Sequence, residues 1–129
     1  MEKTLLIVED DENISKALEV RLSARGFNVV TAFDAIIGMQ KAVQMIPDAI
    51  VLDITLPGGN GLALAQRLKE SAKTKEIPFI FLTASKQDGL RQQATSLGAA
   101  AFFEKPYDFE YLLAAIRAVV EHPHARLSL

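Results

Sequence analysis

The 129-residue chain has no cysteine. A disulfide framework and a thiolate zinc site are therefore excluded. It has no apolar run near the ~18 residues that a membrane-spanning helix needs. The short run Leu5 to Val8 is followed at once by acidic residues, which is not the pattern of a signal peptide. The expectation is a soluble, cytoplasmic protein. Positive charge is scarce too. Fourteen Lys and Arg stand against sixteen Asp and Glu, for a net charge of −2, and the basic residues are scattered. Phosphate backbones are held by clustered positive charge, so direct nucleic-acid binding is disfavoured.

What is present suits one ordinary domain. Half of the residues are hydrophobic, enough for a real core at this length. Strand-like and helix-like segments alternate throughout. Apolar runs at Thr4–Val8, Phe27–Thr31, Ala49–Leu52, Phe79–Leu82 and Ala101–Phe103 read as five strands. Between them fall helical spacings, each with a start or stop signal. Asp11 caps a helix carrying Ile14, Ala17, Leu18 and Leu22, and Gly26 stops it. Asp34 caps a second helix, with Ile37, Val43 and Ile46 as its expected core positions and Pro47 at its end. Leu62, Ala65 and Leu68 mark a third helix, Leu90, Ala94 and Leu97 a fourth. Asp108 caps the last, with Leu112, Leu113, Ile116 and Val120. The strands lack polar alternation, as a parallel sheet covered on both faces requires. The expectation is a doubly wound, flavodoxin-like α/β domain, a three-layer (βα)5 unit with strand order 2-1-3-4-5. Residues 1–121 would form it. Residues 122–129, with His122 and His124, would be a short solvated tail.

In such sheets ligands bind beyond the carboxyl ends of the strands, where strand order reverses. The first strand ends in Glu9-Asp10-Asp11, the third in Asp53, the fourth in Thr83. The fifth is followed by Glu104 and Lys105. Each residue alone has an ordinary explanation. Asp11 is a helix cap, Glu9 or Asp10 a solvated carboxylate, Asp53 a turn residue, Thr83 a strand end and Lys105 a surface lysine. Together, on one rim, they describe something else. Two carboxylates about 5 Å apart repel by roughly 3 kcal/mol at an effective dielectric of about 20. A hard divalent cation offsets that repulsion, and so few protein ligands suit Mg2+ with a phosphate. Lys105 can neutralise a second anion and Thr83 can donate to it. A carboxylate nucleophile, a metal clamp, a cation and a hydroxyl make a phosphoryl site.

At this point the chain resembles a response regulator receiver domain of two-component signal transduction, over about Thr4 to Glu121. The likeness rests on Leu5-Leu6-Ile7-Val8-Glu9-Asp10-Asp11, Ile50 to Pro57 around Asp53, Phe81-Leu82-Thr83-Ala84, Leu97-Gly98-Ala99 and Glu104-Lys105-Pro106-Tyr107. The resemblance implies that Asp53 is the phosphoacceptor. It implies that Asp10 and Asp53 bind Mg2+ directly, Glu9 through water, and Thr55 through its backbone carbonyl. Thr83, the backbone of Ala84 and Lys105 would contact the phosphoryl oxygens. The Lys105–Pro106 bond would be cis. Thr83 and Phe102 would form a switch, with Phe102 turning inward when Thr83 moves, and would reshape the face of the fourth helix, fifth strand and last helix. The phosphodonor would be a sensor histidine kinase or a histidine phosphotransfer protein, and a target protein would read the altered face. The domain would be a monomer or a phosphorylation-dependent dimer, without substrate turnover of its own.

Three features depart from the family pattern. Phe102 stands where tyrosine is common. The loop Pro57-Gly58-Gly59-Asn60-Gly61 lacks the acidic residue that often precedes its last glycine. Gly98-Ala99-Ala100-Ala101 lacks the acidic pair of many transcription-factor receivers. Three rival readings are set against the receiver. An aspartyl-nucleophile phosphatase would carry a second aspartate two residues on, where this chain has Thr55, so its general acid is missing. A receiver-like binding module that works without phosphorylation would be marked by failure to label with a small phosphodonor and Mg2+. A flavodoxin-like cofactor binder would need a phosphate-cradle motif that Gly58-Gly59-Asn60-Gly61 does not supply.

Overall fold

The computed structural model describes residues 2–121. The expected tail, with His122 and His124, lies outside the described residues. Ten elements alternate: β1 (Thr4–Val8), α1 (Glu12–Ser23), β2 (Asn28–Ala32), α2 (Ala35–Met45), β3 (Ala49–Asp53), α3 (Gly61–Glu70), β4 (Phe79–Thr83), α4 (Leu90–Ser96), β5 (Ala101–Glu104) and α5 (Phe109–Glu121). All four strand pairs are parallel, in the order β2-β1-β3-β4-β5. The flavodoxin-like fold and its strand order are therefore as the sequence predicts. The second strand sits one residue later than its apolar run suggests, because Asn28 pairs with Thr4 and Ala32 with Val8.

Alternate residues of the central strands serve two separate cores. Leu6 and Val8 pack with α2, α3 and α4 through Ala42, Leu64 and Ala94. Leu5 and Ile7 pack with α1 and α5 through Leu22 and Leu112. Every residue of β3 and β4 is buried, which is why these runs show no polar alternation. Three helix starts follow the sequence signals: Asp11 Oδ1 accepts from the N–H groups of Asn13 and Ile14, Asp34 Oδ1 from Ile37 N–H, and Asp108 Oδ1 from Glu110 N–H. Asn60, expected only as a loop residue, caps α3 through Ala63 N–H.

Helix α2 departs from its expected packing. Ile37 and Ile46 are exposed and Val43 is only half-buried. The buried positions are the small ones, Ala35, Gly38 and Ala42. A Cβ at Gly38 would lie 3.1 Å from Val8 and 3.3 Å from Leu64. The helix thus approaches β1 and α3 so closely that only small residues fit at its centre; Ile36, Ile37 and Met45 are left exposed, and Met39 packs at the edge of the core. The helix ends at Met45. Ile46 then takes a left-handed conformation with φ 44°, since Pro47 disfavours a helical residue before it.

Candidate functional site

Parallel register brings the strand ends to one rim. Val8 pairs with Leu52, so Glu9 follows β1 beside Asp53 at the end of β3. Asp53 pairs with Leu82 of β4, which places Thr83 one step beyond. Thr83 pairs with Glu104, and Lys105 N–H donates to Thr83 O at 2.8 Å. Lys105 is thus rooted two strands from Asp53, and its long side chain covers that distance.

The carboxylates of Glu9, Asp10 and Asp53 each place an oxygen within 4.8 Å of the others. Glu9 and Asp53 are buried, while Asp10 is exposed. Lys105 Nζ donates to Glu9 Oε1 and to Asp53 Oδ2, both at 2.7 Å. Asp53 Oδ1 accepts from Thr55 N–H at 2.9 Å, and Glu9 Oε2 from Asp11 N–H at 3.1 Å. Both buried carboxylates are therefore held at both oxygens, while Asp10 faces outward at the mouth of the pocket.

The electrostatics follow from this crowding. Burial pushes the Glu9 carboxyl up from 4.5 to about 7, and the charge of Asp53 adds to the rise; the hydrogen bonds from Lys105 and Asp11 N–H do not offset it. Burial also works against the charge of Lys105, but its two carboxylate partners outweigh burial and hold its pKa above the usual value. Burial raises the Tyr107 hydroxyl as well, against the opposing charge of nearby Lys105. Three carboxylates cluster here, and one ammonium bonds two of them. The donor set consists of oxygens alone, carries excess negative charge and has one exposed member, Asp10. These features fit a hard divalent cation such as Mg2+. Glu9, Asp10 and Asp53 would hold it.

Around this pocket the remaining sequence-predicted residues are placed as follows. Thr83 is fully buried, and its Oγ1 accepts from Ser85 N–H at 3.0 Å. Ala84, next in the chain, is exposed. The Lys105–Pro106 peptide is cis. The Thr55 side chain points outward; its backbone N–H is what touches Asp53. Phe102 is already inside, at 6% exposure, with the Arg91 guanidinium 4.7 Å from its ring centroid. The expected inward turn of this ring thus starts from a ring that is packed and capped.

Two contributors escaped the sequence reading. One is the bond from Lys105 to Glu9, because neither residue's pattern reveals the other's distance. The other is Gly61. A Cβ there would lie 2.2 Å from the Asp53 carbonyl oxygen, so only glycine lets α3 start against the end of β3. Gly61 N–H donates to Ile54 O at 2.6 Å and fixes that approach. Its signal was a glycine directly after a helix-capping asparagine.

Comparison with known proteins agrees with this arrangement. Residues 5–117 match the family model of the response regulator receiver domain. The chain is 39% identical over 116 residues to the DNA-binding dual master transcriptional regulator RpaA of Synechocystis, covering 90% of the chain and 48% of that protein. It is 36% identical over 116 residues to the response regulator ArlR of Staphylococcus aureus, covering 90% of the chain and 52% of that protein. The chain therefore spans about half the length of these curated relatives. Among solved structures, a putative response regulator from Chloroflexus aurantiacus superposes with a TM-score of 0.88 at 29% identity, covering 95% of this chain and all of that one. The non-phosphorylated HemR receiver domain from Leptospira biflexa superposes with a TM-score of 0.84 at 32% identity, covering 99% of this chain and all of that one. Among the described residues no helix is long and apolar enough to cross a membrane.

Proposed function

The chain belongs to the response regulator receiver family of two-component signalling, and from that premise we propose that Asp53 accepts a phosphoryl group from a phosphohistidine on a partner protein. The observation that carries this is the carboxylate triad Glu9, Asp10 and Asp53, with Lys105 bonded at 2.7 Å to two of its members. In the transfer, an Asp53 carboxylate oxygen forms a bond to phosphorus as the phosphorus–nitrogen bond of the donor breaks. The imidazole leaves with the electron pair, and Asp53 becomes a mixed anhydride.

Each neighbour has a task in that step. Thr55 N–H holds Oδ1 and Lys105 holds Oδ2, so the carboxylate is oriented before the donor arrives. Lys105 can pass its hydrogen bond from Asp53 to a phosphoryl oxygen. Thr83 Oγ1 and the backbone of Ala84, which follows β4, would contact the phosphoryl oxygens. Glu9, Asp10, Asp53 and the Thr55 carbonyl would hold Mg2+, which when bound neutralises charge on the phosphoryl oxygens. The relatives are regulators, and Thr55 stands where an aspartyl phosphatase would need its acid. The site therefore serves as a phosphoryl-accepting switch whose partners are a histidine kinase or phosphotransfer protein on one side and a target protein on the other.

Intact-mass measurement after incubation with acetyl phosphate and Mg2+ tests the reading. The wild type is expected to gain one phosphoryl group, and Asp53→Ala none. Equal labelling of both would move the acceptor elsewhere, and no labelling of the wild type would leave a binding module.

A further inference from the structure

The segment between β4 and α4 leaves the sheet beside the pocket. A ladder bond from Lys105 N–H to Thr83 O closes the pairing of β4 with β5. Beyond it, residues 84–89 are exposed, apart from half-buried Ser85. Two hydrogen bonds fold the segment on itself, from Ser85 N–H to Thr83 Oγ1 at 3.0 Å and from Gln87 N–H to Ser85 Oγ at 3.2 Å. Helix α4 has seven residues and buries Leu90 and Ala94. Its cap, Gly89, has φ 85° and supplies no side-chain bond, whereas Asp11, Asp34 and Asn60 cap α1, α2 and α3. Among the described residues, side chains therefore fix the place of this segment more than its backbone does.

Two cations supply that hold. Lys86 Nζ donates to Glu104 Oε2 at 3.0 Å, and the Arg91 guanidinium lies 4.7 Å from the centroid of the Phe102 ring. Phe102 and Glu104 are two residues apart on β5, so their side chains leave the same face of the strand. The segment is thus fastened to one face of β5 twice, by Lys86 in the loop and by Arg91 in the first turn of α4. Both attachments lead into the site. Lys86 follows Thr83 by three residues, and Glu104 precedes Lys105, which bonds Asp53 and Glu9. The ring that Arg91 covers packs in the same core cluster as Leu90 and Ala94.

We propose that Lys86 and Arg91 form a two-point clasp that holds the β4–α4 segment on β5, and that Lys86, Glu104 and Arg91 are positioning residues for phosphoryl transfer to Asp53. This rests on the reading of Asp53 as the acceptor. Transfer needs Thr83 Oγ1 and the Ala84 backbone in one place, and both stand at the root of the segment. A clasp that holds the root beforehand spares the cost of ordering an exposed loop during transfer. An exposed ion pair and an exposed cation–π contact are each worth a few-fold in an equilibrium. The clasp therefore tunes the site and is not needed for the fold. The side chains of Lys86 and Glu104 are 65% and 49% exposed, so salt loosens their half of it.

Amide hydrogen exchange followed by NMR in the unlabelled full chain tests the clasp, and labelling by acetyl phosphate with Mg2+ tests its effect. Lys86→Met and Glu104→Gln should each speed exchange at Ser85 and Gln87 about two- to fivefold. The double variant should exchange no faster than either single one, because both remove the same bond. In about 0.5 M NaCl the wild type should approach Lys86→Met. Arg91→Gln should speed exchange at Gln93, whose N–H donates to Gly89 O, and Arg91→Lys should restore part of the protection. Lys86→Met, Glu104→Gln and Arg91→Gln should each slow labelling about two- to fivefold. Lys73→Met, which removes a charge in the turns before β4, should change neither readout. All four positions are exposed, so the fold is not at stake. Exchange that stays at the wild-type rate, or that rises additively in the double variant, overturns the clasp. Faster exchange with unchanged labelling overturns the positioning role. A wild type that takes no label overturns the acceptor reading and the positioning role with it, while the exchange rates still decide the clasp.

Discussion

Lys105 Nζ lies 2.7 Å from Asp53 Oδ2, although 52 residues separate the two in the chain. The same ammonium lies 2.7 Å from Glu9 Oε1. One cation thus holds together two buried carboxylates that would otherwise repel, and most of the expected behaviour of the site follows from that.

Replacing Lys105 by Met should act on chemistry and stability together. Phosphoryl labelling by acetyl phosphate is expected to slow at least tenfold. The partners left behind are only 3% and 7% exposed, so at pH 8 the fold should lose about 2–4 kcal/mol. At pH 6 part of that loss should return, because Glu9 takes up a proton. Urea midpoints at the two pH values measure this, and an equal loss at both would argue against the shared-cation account.

Glu9 should make the metal-free protein less stable as pH rises. Its carboxyl titrates near 4.5 in an unfolded chain and at about 7 here, so the folded chain holds the proton more tightly. Its contribution is full below pH 4.5 and is lost as pH climbs through 7, amounting to about 2–3 kcal/mol. Glu9→Gln removes that dependence. The difference between the wild-type and Glu9→Gln stability curves should therefore slope between pH 5 and 8. Parallel curves would show that Glu9 is not the group responsible.

Mg2+ affinity should fall in acid for the same reason. A proton on Glu9 competes with a cation at the triad. With a pKa of about 7, binding at pH 6 should be about tenfold weaker than at pH 8. Calorimetric titration in buffers of different ionisation enthalpy should also register proton release at pH 6. Affinity that is level between the two pH values would place the cation away from Glu9.

Gly61→Ala should damage the fold and the site at once. The new Cβ would meet the Asp53 carbonyl oxygen at 2.2 Å, and backbone cannot step aside cheaply. A loss of about 1–3 kcal/mol is expected, with slower labelling of Asp53 because β3 and α3 must part. Ala63→Gly, at an exposed position of the same helix, is the control, costing at most about 1 kcal/mol and leaving labelling unchanged. Similar labelling by Gly61→Ala and the wild type would show that this approach does not position the acceptor.

The sequence alone determined the alternation of strands and helices, the parallel sheet, and the polar residues that close four of the five strands. These were legible because a strand buried on both faces must be apolar until it leaves the sheet, so Glu9, Asp53, Thr83 and Lys105 stand out where their strands stop. Only the tertiary structure decided which of these residues touch. Lys105 reaches Glu9 as well as Asp53 because register and side-chain length act together across four neighbouring strands, and no local pattern records that distance. It also decided which side of α2 is inside. Ile37 and Ile46 look like core by hydrophobicity, yet Gly38 and Ala42 occupy the core because β1 and α3 lie too close for anything larger. Hydrophobic spacing reports preference for burial. The distance between packed elements decides which residue fits.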